Sequence, residues 1–240
     1  MNQIDEKTCV GSQDMQLPQD LRKPLMQHLE HLRERFKSLD WGGRVGFGKR
    51  PAVVVIDLAL FWTEPQHQMG SNVDSVVEAT CSILNAARNT GVPIFFTTYD
   101  HDPADPPSPK ADKCTLQVMP SDTTVFQIDP RLGHQPAEKI FRKKYASAFK
   151  GTNFHETLAS LGVDTLIVTG VSTSHCVYAT CRDACASYRV IVPRQAVGER
   201  CELLHEVNLF DIDLDLGDVM PCDEVVQFLE NTPSDAHINP

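Results

Sequence analysis

Thr165-Leu166-Ile167-Val168-Thr169-Gly170-Val171-Ser172-Thr173-Ser174-His175-Cys176-Val177 decides how this chain is read. Thr165 to Thr169 is an apolar, β-branched run of strand length, and it sits in the most strongly apolar stretch of the sequence, Val163 to Thr169. Such a run suits a strand covered on both faces. Cys176 to Ser187 has the composition of a helix, and the small polar turn between the two carries a cysteine. A helix start offers unpaired backbone N–H groups and partial positive charge. Both favour thiolate over thiol, so the turn predicts a nucleophile at Cys176. The plainer alternative is a small buried residue that packs the turn, as most free cysteines do.

Working outward, the same alternation recurs. Strands are predicted at Ala52 to Asp57, Val92 to Thr98, Lys139 to Lys143, Val190 to Val192 and, at an edge, Asp218 to Met220. Helices are predicted at Asp74 to Thr90, Thr152 to Leu161, Glu202 to Phe210 and Cys222 to Leu229, with Gly91 and Gly162 as stops. Strands alternating with helices imply an α/β, three-layer, Rossmann-like fold. The expected sheet is mostly parallel and six-stranded, with helices on both faces. Asp100 to Gln135 is long, proline-rich and irregular, which predicts a loop that shapes a pocket.

Ahead of this pattern, residues 1–18 read as a flexible leader. Leu25, Leu29, Leu32, Phe36 and Leu39 then form the stripe of an amphipathic helix. That helix either covers its own domain or contacts another subunit. The expected division is an extension over 1–43 and a catalytic domain over 44–240. Asp40 to Gly48 is glycine-rich but precedes the first strand, so it carries no phosphate-loop role.

Composition narrows the function. A formal net charge of -10 offers no basic stripe to displace counterions, which argues against nucleic acid. No stretch approaches the roughly 20 apolar residues of a membrane span. The 8 cysteines stand singly, without C-x-x-C pairs or zinc spacing. These features predict a reduced, cytoplasmic protein with no metal and no cofactor.

In open parallel sheets, ligands bind beyond the carboxyl ends of the strands. Asp57, Lys143 and Cys176 each stand at or after such an end. Singly, Asp57 suits a turn cap, and Lys143, within Arg142-Lys143-Lys144, suits a solvated charge. Together they suit acyl transfer. A carboxylate takes the thiol proton, and an ammonium stabilises both charges.

Four blocks make the pattern specific: Pro51 to Asp57, Lys143 to Thr152, Gly170 to Val177, and Asp183-Ala184. The chain resembles the isochorismatase-like cysteine hydrolase superfamily over roughly residues 44–230. Within it, the nearest likeness is to the N-carbamoylsarcosine amidase and maleamate amidohydrolase branch. That likeness rests on Gly46 to Pro51, Phe61 to Pro65, Ala196 to Arg200 and His205 to Ile212. The resemblance implies a triad of Asp57, Lys143 and Cys176. Lys143 is preferred to Lys144 because the family's lysine stands four residues before the serine that is Ser147 here. It also implies a cis peptide between Val171 and Ser172, and an oxyanion hole from the backbone N–H groups of Ser172 and Cys176. The metal-dependent nicotinamidases of the superfamily carry an Asp-x-His and second-histidine arrangement, which Asp100-His101-Asp102-Pro103-Ala104-Asp105 lacks.

The implied chemistry is hydrolysis of a small linear amide or ureide through a thioester, with release of ammonia. A substrate carboxylate is expected, bound by Arg194 or Arg200. Thr173 is a further contact candidate, and Phe61, Trp62 and Tyr145 are expected pocket walls. His175, although next to the cysteine, points elsewhere on the turn. A homodimer or homotetramer is expected. The competing reading is a noncatalytic binding or scaffold protein on the same fold.

Overall fold

Six strands run side by side in a computed structural model that describes residues 15–67, 69–100 and 123–233. They are β1 (Pro51–Ile56), β2 (Ile94–Tyr99), β3 (Lys139–Lys143), β4 (Thr165–Val171), β5 (Arg189–Pro193) and β7 (Asp218–Met220). Their order is β3-β2-β1-β4-β5-β7. A two-residue strand, β6 (Val197–Gly198), pairs with the end of β4, and every ladder is parallel. The sequence reading had the six strands but not β6, which is too short to show a pattern.

This order reverses direction between β1 and β4, which makes their carboxyl ends the expected ligand crevice. Gly170 lets the two strands meet there. It pairs with Ile56 at φ +105, and a Cβ on it would stand 2.0 Å from the Ile56 carbonyl oxygen. Any side chain would force the strands apart at the rim.

Alternation along each strand divides the core. Ala52, Val54, Ile56, Leu166 and Val168 face one side, with α4 (Phe154–Ser160), α5 (Tyr178–Ala184) and α6 (Glu202–Asp211). Val53, Val55 and Ile167 face the other, with α3 (Asp74–Thr90) and α7 (Cys222–Glu230). The apolar runs are continuous because both faces are covered. α3 ends at Gly91, whose φ of 73 is the left-handed cap expected there.

Two boundaries differ in ways that matter for the site. A one-turn helix, α2 (Leu60–Thr63), follows β1 directly. Thr173–Val177 forms a π turn before α5 begins at Tyr178. Cys176 therefore lies inside an irregular turn, not at the start of an α-helix. Such π turns often occur at functional sites.

The N-terminal stripe forms α1 (Gln19–Lys37). Leu29 is buried, Leu25, Leu32 and Phe36 are half-buried, and Leu39 is exposed. The helix docks on its own chain. Phe36 meets Phe210 at 6.3 Å between ring centroids, Arg33 lies over the same ring, and Arg22 pairs with Glu202 at 2.8 Å. Residues 1–14 of the expected leader and 101–122 of the expected pocket loop lie outside the described residues. So does His101 to Asp105, on which the comparison with metal-dependent relatives rests. Among the described residues, no helix is long and apolar enough to cross a membrane.

Candidate active site

The carboxyl ends of β1, β3 and β4 bring three distant side chains together. Asp57 follows β1 with its backbone in the left-handed region, φ 51, which aspartate tolerates better than most residues. Its carboxylate is buried. Oδ2 accepts a hydrogen bond from Lys143 Nζ at 2.6 Å, and Oδ1 accepts one from the Thr97 hydroxyl at 2.7 Å. The Asp57 N–H donates back to the same hydroxyl at 3.2 Å. Lys143 is the last residue of β3 and points inward, whereas Lys144 is exposed. Its ammonium also donates to the Tyr145 carbonyl at 3.3 Å.

The electrostatics follow from this burial. Desolvation opposes the charge on Lys143, but Asp57, and after it Cys176, outweigh that and hold its pKa above the ordinary value. The Cys176 thiol lies close enough to Asp57 and Lys143 for both to act on its ionisation. Burial, and next the Asp57 carboxylate, push its pKa up to about 12 despite the ammonium. The expected depression of this thiol is therefore reversed. The desolvation and the neighbouring anion exceed what the turn's dipoles supply. At neutral pH the group is a thiol, with the Lys143 side chain paired to Asp57 beside it.

Around the cysteine, the backbone is sharply defined. The peptide between Val171 and Ser172 is cis, as the resemblance implies. The Ser172 carbonyl accepts from the N–H groups of His175 and Val177 at 2.9 and 3.2 Å, which ties the turn to its own start. Glu199, just past β6, holds the turn from the other side. It is 1% exposed and accepts from Ser174 N at 3.0 Å, from the Ser174 hydroxyl at 2.6 Å, and from Arg200 N at 2.9 Å. Burial opposes its charge, yet His175, Ser174 and these backbone donors bring its pKa down to about 2. Sequence reasoning gave Glu199 and Thr97 no role. Glu199 stood within one of the resembling blocks, but nothing local marks a carboxylate that reaches a turn 25 residues away.

The remaining candidates separate. Thr173 is fully buried, and its hydroxyl donates to the Gly198 carbonyl at 3.0 Å and contacts His205 Nδ1 at 2.9 Å. It faces β6 and α6 instead of the triad. Arg194 is bound by both oxygens of Glu206, at 2.7 and 2.5 Å. Arg200 is held more loosely, 3.9 Å from Glu199 and 3.4 Å from the Met69 sulfur. His175 is exposed, and its Nδ1 contacts the Ser174 hydroxyl at 2.7 Å, away from the thiol. Phe61 is buried among Trp62, His67 and Phe126. Tyr145 is 51% exposed under the Lys150 ammonium.

Trp62 and Arg200 do meet. They line a narrow cleft of ≈ 10 Å³ with Met69, Ser71, Ser172 and Glu199. This cleft reaches the rim through Ser172, at the cis peptide. A wider cleft of ≈ 500 Å³, lined by Lys49, Arg50 and Phe228, lies at the amino end of β1 and holds none of these residues.

Comparison with known proteins agrees with the geometry. Residues 51–224 match the isochorismatase domain family. An N-carbamoylsarcosine amidase from Arthrobacter sp is 40% identical over 79% of this chain and 75% of its own length. A maleamate amidohydrolase from Pseudomonas putida is 32% identical over 86% of this chain and 99% of its own. A crystal structure of a cysteine hydrolase from Pseudomonas syringae superposes with a TM-score of 0.73 at 23% identity, covering 79% of this chain and 97% of that one, which shows the shared fold. With a family domain matched from β1 into α7, the chain belongs to the isochorismatase-like hydrolase family.

Proposed function

We propose that the protein is a cysteine amidohydrolase that cleaves a small linear amide or ureido acid through a thioester, as an N-carbamoylsarcosine amidase-like enzyme. The observation that carries this reading is the buried Lys143–Asp57 pair, 2.6 Å apart, beside the Cys176 thiol at the switch point. A solitary buried ion pair adds little stability over apolar packing. One built around a thiol has a chemical use.

In this mechanism Asp57 accepts the Cys176 proton as sulfur bonds to the carbonyl carbon. Lys143 keeps its charge throughout, so the transferred proton leaves thiolate and neutral carboxyl both beside an ammonium. The oxyanion takes hydrogen bonds from the N–H groups of Ser172 and Cys176. Asp57 then returns its proton to the departing nitrogen, the C–N bond breaks, and ammonia leaves. Water attacks the thioester as Asp57 takes its proton, and that proton goes back to sulfur. The high resting pKa of the thiol fits this sequence, because the proton moves only when a carbonyl is in place to bond the sulfur.

For substrate recognition, Arg200 is the better carboxylate ligand. Arg194 is already paired with the Glu206 carboxylate through Nη2, whereas Arg200 has a thioether sulfur and a distant carboxylate as partners. A monoamide acid of the maleamate type is the second reading. It is favoured by the likeness to maleamate amidohydrolase along 99% of that protein's length.

The test is ammonia release from a panel of N-carbamoyl amino acids and dicarboxylic monoamides. Cys176→Ala should abolish it, and mass spectrometry of wild type quenched during turnover should find an acyl adduct on Cys176. Release that persists in the variant excludes the thioester route.

A further inference from the structure

Two residues before the nucleophile, the cysteine turn is fastened to a buried carboxylate. Glu199 is 1% exposed. Its Oε2 accepts from the Ser174 amide at 3.0 Å and from the Ser174 hydroxyl at 2.6 Å, and its Oε1 accepts from the Arg200 amide at 2.9 Å. The Arg200 guanidinium stays 3.9 Å away. Aimed N–H and O–H donors, more than an ion pair, therefore hold this charge in the interior.

The turn needs such an anchor. It is a π turn, Thr173–Val177, and α5 begins only at Tyr178. β6 pairs with β4 at Gly170 and Val171 and stops at Gly198. Past that point side chains continue the contact. The Thr173 hydroxyl donates to the Gly198 carbonyl at 3.0 Å, and Glu199 takes Ser174. Val197, Gly198 and Glu199 thus hold 170–174 in succession. The N–H groups of Ser174, His175 and Val177 are all engaged in keeping the turn's shape. Cys176, between the last two, takes the position of its sulfur and its N–H from them.

We propose that Glu199 is a positioning residue for the reaction: its carboxylate fixes Ser174 and, through the turn, sets the Cys176 sulfur and N–H beside Asp57 and Lys143. This rests on the amidohydrolase reading above and deepens it. Acyl transfer needs sulfur and oxyanion donor placed together, and a misplacement of about 1 Å can cost about 100-fold. Glutamine does not replace the carboxylate. It has one acceptor oxygen, so its own N–H groups meet the N–H of either Ser174 or Arg200.

For an N-carbamoyl amino acid, Glu199→Gln should lower kcat by about 10- to 100-fold, the range for hydrogen bonds to a charged group, with KM within about twofold. Ser174→Ala leaves the carboxylate in place and removes one donor. It should lower kcat by about three- to tenfold with the same split. Should the first variant fail to fold, the second decides alone. An unchanged kcat, or a rise in KM without a fall in kcat, overturns the proposal and leaves Glu199 as a brace. The pH profile of Cys176 alkylation by iodoacetamide, followed by mass spectrometry, should match that of wild type in both variants. A shifted profile means that Glu199 acts on the thiol's ionisation, and it overturns positioning. Hydrogen exchange over residues 170–178 gives a measure independent of turnover. It should quicken by at least about threefold in both variants, while exchange over 51–56 stays as in wild type. Failure of the function is separate: wild type would release ammonia from none of the panel. In that case faster exchange at 170–178 keeps Glu199 as the anchor of the turn, and equal exchange overturns the anchor as well.

Discussion

Two polar clusters stand at the same rim of the sheet and differ in what their groups have left to offer. In one, Lys143 and Asp57 are paired at 2.6 Å and Cys176 lies close enough for both to act on its thiol. In the other, Arg194 Nη2 bridges both oxygens of Glu206, and Thr173 stands between His205 and the Gly198 carbonyl. The Thr173 hydroxyl donates to Gly198, so His205 donates to it through Nδ1–H. Burial brings the His205 pKa down to about 4, so this imidazole is neutral at pH 7. In the second cluster the Glu206 carboxylate and the Thr173 hydroxyl are engaged by groups of the cluster itself, and it braces the β6–α6 side of the cysteine turn. Burial and charge alone do not mark a catalytic group. Unused bonding capacity does.

The sharpest way to break that comparison is Lys143→Met. It strands the Asp57 carboxylate in the interior opposite a thiol. Stripping a buried charge of its partner costs about 3–5 kcal/mol. Urea unfolding should show that loss, and ammonia release should fall at least about 100-fold, as when an electrostatic stabiliser is removed. A variant that keeps wild-type stability and turnover would mean that the pair is neither structural nor catalytic.

Acid separates the clusters next. His205 is buried neutral with its folded pKa below the ordinary value, so the unfolded chain binds its proton first as pH falls. Its stabilising contribution is complete above about 6.5 and is lost as pH drops toward about 4. The loss amounts to about 3 kcal/mol. Glu199 has the same sign but a lower window, from about 4.5 down to about 2. Denaturant midpoints of wild type should therefore fall between pH 6.5 and 4, a slope that His205→Gln should flatten. An identical slope in the variant would refute a neutral buried imidazole.

How much of this was legible in the sequence depends on how far each feature reaches along the chain. The strands announced themselves because a two-sided sheet needs continuous runs such as Val53-Val54-Val55-Ile56. The three rim residues followed from strand ends, and α1 from its stripe. The chemistry of the turn did not follow. Its thiol is governed by groups 119 and 33 residues earlier in the chain, at Asp57 and Lys143, and not by the dipole of its own turn. Nor does local sequence separate Arg194 from Arg200, both of which follow β5. The difference lies in α6, which turns Glu206 toward one and leaves the other with Met69.

That difference sets the third test. Arg200→Ala should raise KM for a carbamoyl amino acid by about 10- to 100-fold with stability nearly unchanged. Arg194→Ala should do the reverse, costing about 1–3 kcal/mol by leaving Glu206 unpaired while KM moves less than about twofold. Thermal melts and steady-state kinetics on the two variants suffice. Exchanged outcomes would transfer the carboxylate site to Arg194.

The finest contrast lies within the triad cluster. Lys143 and Thr97 each hold one oxygen of Asp57, at 2.6 and 2.7 Å, but only the lysine brings charge. Thr97→Val preserves shape and removes the hydroxyl. One carboxylate oxygen then loses its donor, and the Asp57 amide loses its acceptor, while the ion pair survives. The expected cost is about 1–3 kcal/mol in stability, below that of Lys143→Met. Turnover should fall by about tenfold, because a carboxylate held at one oxygen presents its other lone pairs to the thiol less often. Serine at the same position restores the hydroxyl and should restore most of the rate. If serine and valine behave alike, the hydroxyl is not what aims Asp57, and the lysine alone holds it.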